Sequence, residues 1–99
     1  VERFDAVVVL KGAGSIIAAP GEVPMVIGAG NPGMASGGMG DVLTGAIAAL
    51  CAQGLSLFEA ACAGALLHSA AADAAARESG ERGLLASDLF PHLRRLANP

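Results

Sequence analysis

The sequence has no tryptophan and no tyrosine, and its 3% aromatic content is phenylalanine alone. Charge is scarce too: Asp, Glu, Lys and Arg make up 15% of the 99 residues, where soluble domains average about 25%. Nine acidic and six basic residues leave a formal net charge of -3, with no basic block or stripe. Nucleic-acid binding calls for a positive field, and single-strand binding adds stacking surfaces. That class is set aside. A phosphorylated small molecule stays open, because helix ends and backbone amides hold phosphate without net positive charge. Cysteine is limited to Cys51 and Cys62. They form no CxxC pair and no zinc-type cluster, so both read as small hydrophobes packed in helices. No basic segment feeds a long apolar one, as a secretory leader would require. The apolar run from Val42 to Ala52 is about half the length that crosses a bilayer. The expectation is a cytoplasmic chain with no membrane span and no metal-ligand set of its own.

What is abundant is small and apolar. Hydrophobic residues reach 54%, and glycine accounts for 14 positions. The length allows one domain at most. A chain this poor in charge is expected to have part of its apolar surface covered by more of the same protein or by another subunit. It begins Val-Glu-Arg-Phe-Asp, without Met and on the approach to a strand, which suggests part of a larger protein.

Ala6–Leu10, AVVVL, is an unbroken apolar run whose three consecutive valines predict a strand. Its lack of alternation suggests burial on both faces, as in a parallel sheet. Gly12-Ala13-Gly14 reads as a turn, Ser15–Ala19 as a second strand and Met25–Ile27 as a third. A glycine-rich stretch follows. Asp41–Gln53 then predicts a helix capped by Gly54. Ser56 with Glu59 is a capping box opening a second, alanine-rich helix to Arg77 or Ser79. Asp88 is read as the cap of a third helix through Leu96, with Pro91 in its first turn. Short strands followed by three helices suit the last part of an α/β domain.

The informative stretch is Gly30 to Gly45, GNPGMASGGMGDVLTG. It has neither the Gly-Lys-Ser/Thr ending of a Walker loop nor the glycine spacing of a dinucleotide fingerprint. It brings Gly37, Gly38, Met39 and Gly40 to the start of a helix at Asp41. First-turn amides have no intrahelical partner, the helix dipole is positive there, and glycines let backbone approach a phosphate. Such an anion hole can stabilise a transferring phosphoryl group, with Asp41 as the base for an attacking hydroxyl. The competing reading makes Asp41 an ordinary N-cap after a plain loop. Lys11, at a strand end before Gly12, Ala13, Gly14 and Ser15, is either a nucleotide contact or a solvated strand terminus. His68 reads first as a packing histidine and second as an active-site wall. Asp73 reads as a helix-face carboxylate. Thr44 is placed to bond back to the helix backbone or to Asp41.

At these residues the chain resembles the ADP/ATP-dependent NAD(P)H-hydrate dehydratases, whose domain has the ribokinase-like three-layer α/β fold. The resemblance is carried by VVLKGAGS at Val8 to Ser15, NPGMASGGMGDVLTG at Asn31 to Gly45, AQG at Ala52 to Gly54, GALLHSAAAD at Gly64 to Asp73, and RGLLASDL at Arg82 to Leu89. It implies that residues 1–99 are the C-terminal portion of such a domain, lacking an N-terminal part. It implies phosphorylation of the hydroxyl of hydrated NADH or NADPH (NADHX, NADPHX) by ADP, or ATP in some members, then loss of phosphate; Mg2+ is expected because charged phosphates need it during transfer. By the same resemblance Lys11, Gly12, Ala13, Gly14, Ser15 and Gly40 contact the nucleotide. Asp41 contacts the hydrated coenzyme and serves as base. An attached epimerase domain and homo-oligomeric assembly are also expected. The rival readings are a ribokinase-like kinase for a sugar or hydroxymethyl-pyrimidine, and a non-catalytic nucleotide-binding or assembly fragment.

Overall fold

The computed structural model describes residues 7–10, 15–28, 30, 34 and 37–98. Strands β1 (Val8–Leu10), β2 (Ser15–Ala18) and β3 (Met25–Ile27) come first. Helices α1 (Met39–Ala52), α2 (Leu57–Ser79) and α3 (Phe90–Ala97) follow, and a 3-10 turn over Ala86–Leu89 leads into the last. The predicted order of elements holds.

The sheet corrects the parallel reading of the first strand. It is an antiparallel meander in the order β1-β2-β3. Val9 stands opposite Ile17, Ile17 opposite Met25, and Ile16 opposite Val26. Only residues 11–14 separate β1 from β2, and a parallel pairing needs a crossover of roughly a dozen residues or more. Burial is one-sided as well. Ile17 and Ile27 face inward, whereas Ile16 is 39% and Val26 65% exposed on the other face. The alternation of strand side chains puts each set on its own face.

α2 is the spine. Ser56 and Glu59 form the predicted capping box: the Ser56 hydroxyl accepts from the Glu59 N–H at 3.2 Å, and the Glu59 carboxylate accepts from the Ser56 N–H at 3.2 Å. These two bonds hold the Glu59 carboxyl below the usual carboxylate range. At 23 residues the helix runs about 34 Å at 1.5 Å per residue. Its buried positions are Ala60, Ala61, Gly64, Ala65, His68, Ser69, Ala71, Ala72 and Ala75. Side chains this small let neighbours come close. A Cβ on Gly64 would lie 2.7 Å from Ile47 Cγ1 and 3.4 Å from the Ile47 backbone, so α1 crosses α2 at near backbone contact.

Two apolar clusters sit along this spine. One joins Ile17 and Ile27 of the sheet, Leu43 of α1, and Ala61 and Ala65 of α2, with Ile47 and Cys62 packed against them. The other joins Met39 of α1, Ala71, Ala72 and Ala75 of α2, Leu84 and Leu89, with Met34 and Leu93 beside them. Cys62 is thus a packed thiol as expected, and Cys51 and Cys62 are both free.

α1 ends in a Schellman arrangement. Gly54, at φ +104, gives its N–H to Cys51, and Leu55 gives its N–H to Leu50. The expectation for α3 needs correction. Asp88 does not cap it; the Asp88 carboxylate accepts from the Leu85 N–H at 2.9 Å and so closes the 3-10 turn. α3 starts at Phe90 with Pro91 in its first turn, where an amide is not needed. Buried His92 then ties α3 to α2: it takes a hydrogen bond from Arg95 at Nδ1, and its Nε2 faces Glu78 at 3.4 Å.

Two outcomes follow for the full-length polypeptide. Gly64→Ala should lower unfolding stability by about 1–3 kcal/mol, the usual cost of overpacking. Adding Ile47→Ala should cost less than its own single effect predicts, as a urea-denaturation double-mutant cycle would read. Acidification should remove the capping-box contribution. With its folded pKa lowered, Glu59 contributes stability above the ordinary carboxylate range and loses it as pH falls through the lowered value. Glu59→Gln should lack that component of the stability–pH profile.

Candidate active site

The glycine-rich stretch delivers the chain to α1 two residues earlier than the sequence suggests. α1 begins at Met39, and Gly38 is its N-cap, at φ +85. Asp41 is therefore not the cap. It stands at the third helical position, in the first turn. The reason is conformational: a left-handed φ is available to glycine at no steric cost, so the backbone turns into the helix at Gly38 with no side-chain capping bond.

The helix start is fixed from both sides. Met39 is 4% exposed in the cluster with Ala72 and Leu89, and Leu43 is 5% exposed in the cluster with Ile17 and Ala65. These two are four apart and share a face of α1. Asp41, two residues on from Met39, is turned about 200° away and is exposed. The Val42 N–H makes the first intrahelical bond, to the Gly38 carbonyl at 3.1 Å. The amides ahead of Val42 therefore have no carbonyl partner within the helix. Thr44 Oγ1 donates to the Gly40 carbonyl at 2.9 Å, the backbone option among its two expected partners.

Gly37, Gly38 and Gly40 are thus brought together with Asp41, while Met39 serves as the anchor beneath them. A Cβ at Gly37 would meet nothing within 4 Å, so this backbone lies open. At Gly38 a Cβ would come within 3.3 Å of the Ala86 Cβ, which shows the 3-10 turn buttressing the loop. Lys11, Gly12, Ala13 and Gly14 lie outside the described residues. Ser15 opens β2 opposite Ile27. His68 is 4% exposed in the body of α2, in keeping with a packing histidine.

Beyond Asp41 an apolar groove of about 500 Å3 runs between α1 and α3, walled by Gly45, Ala49, Leu67, Phe90 and Leu93. Burial first, and Glu22 second, push the Cys62 thiol up. Among the described residues, no three His, Cys, Asp or Glu converge on a possible metal position. None of the described helices is long and apolar enough to cross a membrane.

Two contacts of this site were not legible as such. Ala86 lies in the quoted RGLLASDL run, but nothing in its spacing pointed to Gly38. Asp73, read as a helix-face carboxylate, reaches Gly30 across 43 residues: the Gly30 N–H donates to Asp73 Oδ2 at 2.9 Å.

Gly38→Ala combines a left-handed φ with the close Ala86 contact. It should cost about 1–3 kcal/mol of stability, measured by thermal unfolding of the full-length polypeptide, whereas Gly37→Ala should cost less.

The family model described as NAD(P)H-hydrate dehydratase matches residues 1–95. A bifunctional NAD(P)H-hydrate repair enzyme of Coxiella burnetii is 60% identical over 99% of this chain, which covers 20% of that protein. An ADP-dependent (S)-NAD(P)H-hydrate dehydratase of Neisseria meningitidis serogroup B is 50% identical over 96% of this chain, which covers 32% of it. The crystal structure of the ADP/ATP-dependent NAD(P)H-hydrate dehydratase of Bacillus subtilis, co-crystallised with ATP/Mg2+, matches with a TM-score of 0.90 at 32% identity, over 97% of this chain and 35% of that one. The chain thus spans between a fifth and about a third of the length of these three relatives. Its short sheet and three helices are those of the ribokinase-like fold, as expected. The chain belongs to the NAD(P)H-hydrate dehydratase family.

Proposed function

We propose that this chain supplies the phosphoryl-handling end of an ADP-dependent NAD(P)H-hydrate dehydratase and takes part in the repair of hydrated NADH and NADPH. The observation that carries the reading is the start of α1. Gly38 caps the helix by its backbone alone, and Asp41 stands exposed in the first turn, between two buried anchors.

The arrangement suits one reaction. The ring hydroxyl oxygen of the hydrated nicotinamide attacks the terminal phosphorus of ADP, AMP departs, and Asp41 takes the hydroxyl proton. The amides at Gly37, Gly38, Met39 and Gly40 hold the phosphoryl oxygens as charge develops on them. Phosphate then leaves carbon with the C–O electron pair, and loss of a proton from the neighbouring carbon restores the ring double bond. Asp41 thus acts as base and substrate contact. Lys11, Gly12, Ala13, Gly14, Ser15 and Gly40 form the nucleotide side, a role that the family resemblance supports. Magnesium bound with the nucleotide would offset the phosphate charge during transfer, and among the described residues no three His, Cys, Asp or Glu converge to hold it. The Neisseria relative is described as ADP-dependent, which favours ADP over ATP as donor. Several relatives are bifunctional, which supports a further domain with epimerase activity in the complete polypeptide. We place the remainder of the ribokinase-like domain ahead of this chain, and the whole in the cytoplasm as a homo-oligomer. The outward face of the sheet, with Ile16 and Val26 exposed, suits coverage by that remainder.

The test is recovery of NADH absorbance from hydrated NADH by the complete polypeptide with magnesium and ADP, and with ATP in parallel. Asp41→Asn should lower the rate at least about 100-fold, within the range for loss of a general base, and inorganic phosphate should appear in step with NADH. A folded protein that recovers no NADH with either nucleotide, or that accumulates a stable phosphorylated product, would overturn the dehydratase and leave a small-molecule kinase of the same fold.

A further inference from the structure

We infer that Asp73 is a positioning residue for the phosphoryl-transfer site: its carboxylate fastens Gly30, on the segment between β3 and α1, to the spine helix, and thereby helps set where α1 begins. The inference rests on the reading of Asp41 and the α1 amides as the reacting end. Three observations meet at Gly30. Its N–H donates to Asp73 Oδ2 at 2.9 Å. Its φ is +123, a conformation that favours glycine. A Cβ there would come within 3.2 Å of Met34 Sδ and 3.7 Å of Ser69 Oγ, so the backbone lies close against α2. Ser69 and Asp73 are one turn apart on the same face of that helix. One offers a small side chain for close approach, and the other an acceptor.

The link continues to the site. Met34 packs against the cluster that holds Met39, the first residue of α1. The path into α1 is therefore held at Gly30 by Asp73, at Met34 by the cluster, at Gly38 by Ala86 and at Met39 by burial. A segment this rich in glycine has much backbone freedom to lose, and a carboxylate accepting from an amide is a strong single fastening. Asp73 does not touch the reacting atoms. It acts through Gly30 on amides whose worth depends on sub-ångström placement.

The experiment uses the complete polypeptide and compares Asp73→Ala, Asp73→Asn, Gly30→Ala and the Asp73→Ala/Gly30→Ala pair in the NADH-recovery assay, with Asp41→Asn as control. Asp73→Ala should lower kcat about 10-fold with KM for hydrated NADH within a factor of about two, because only placement in the transition state is lost. Asp73→Asn keeps an acceptor oxygen and should restore kcat to within about 3-fold of the parent. The pair should be no slower than the slower single variant, since both act on one fastening. In the parent, the Gly30 amide should exchange with solvent deuterium more slowly than an open amide, which holds whether or not the alanine variant folds. Parent-like kcat in Asp73→Ala, a loss that Asp73→Asn fails to restore, or an unprotected Gly30 amide would overturn the inference while leaving the role of Asp41 intact. Failure of the parent to recover NADH would instead overturn the dehydratase reading, with Gly30 protection still reporting on the fastening.

Discussion

The close crossing of α1 over α2 is the constraint on which the rest depends. At Gly64 there is no room for a methyl group against Ile47, and the other buried positions of α2 are alanines apart from His68 and Ser69. Because α2 presents so little side-chain bulk, α1, the sheet and α3 can all reach one helix. The cost is a core of small groups. Ile17 and Leu89 are the largest fully buried side chains, so each packed contact carries little area and close approach has to compensate through many weak contacts. Such a core gains from being exact in distance, and exact distance is what a site at the end of α1 needs.

α1 is useful because it bridges the two clusters. Leu43 reaches the sheet-side cluster and Met39 the α3-side one. A helix anchored at two successive turns has little freedom to slide or roll relative to α2. Its first-turn amides and Asp41 inherit that rigidity. Among the described residues of the approach to the helix, three contacts hold the chain: Gly30 with Asp73, Met34 in the cluster, and Gly38 beside Ala86. All of these trace back to α2 or to the turn that packs on it. The catalytic reading and the packing of the spine helix are therefore one problem, not two.

What could be read from the sequence follows the range of the forces involved. The Ser56–Glu59 box, the Gly54 stop and the extent of α2 are set by neighbours within one turn, and all were legible. The sheet was not, in one respect. A run such as AVVVL records that its surroundings are apolar but says nothing of the direction of its neighbours. The short link to Ser15 decides that, and it favoured a hairpin. Asp88 illustrates a different limit. An aspartate ahead of a helix satisfies a free amide in more than one way, and here the amide is that of Leu85, inside a 3-10 turn. The Asp73–Gly30 bond spans 43 residues, and no local pattern carries it. GALLHSAAAD belongs to the family resemblance, yet a resemblance gives residues without giving their partners.

The misplaced helix start is the most instructive case, because it changes the chemistry. An aspartate at the N-cap turns its carboxylate back onto the first-turn amides. Were Asp41 there, its oxygens would occupy the very donors that a phosphoryl group needs. With Gly38 taking the cap through a left-handed φ and no side chain at all, those amides stay available. Asp41, at the third position, is released from capping and projects from the face opposite the buried anchors. The sequence offers Asp41 both as cap and as base, two roles that one aspartate can combine. The structure separates them by giving the cap to glycine. The dipole of α1 still favours a carboxylate in its first turn, so Asp41 is electrostatically at home there without being consumed by capping. In the proposed reaction a glycine-rich approach thus does two jobs: it opens backbone to a phosphate, and it leaves the acidic side chain to take a proton.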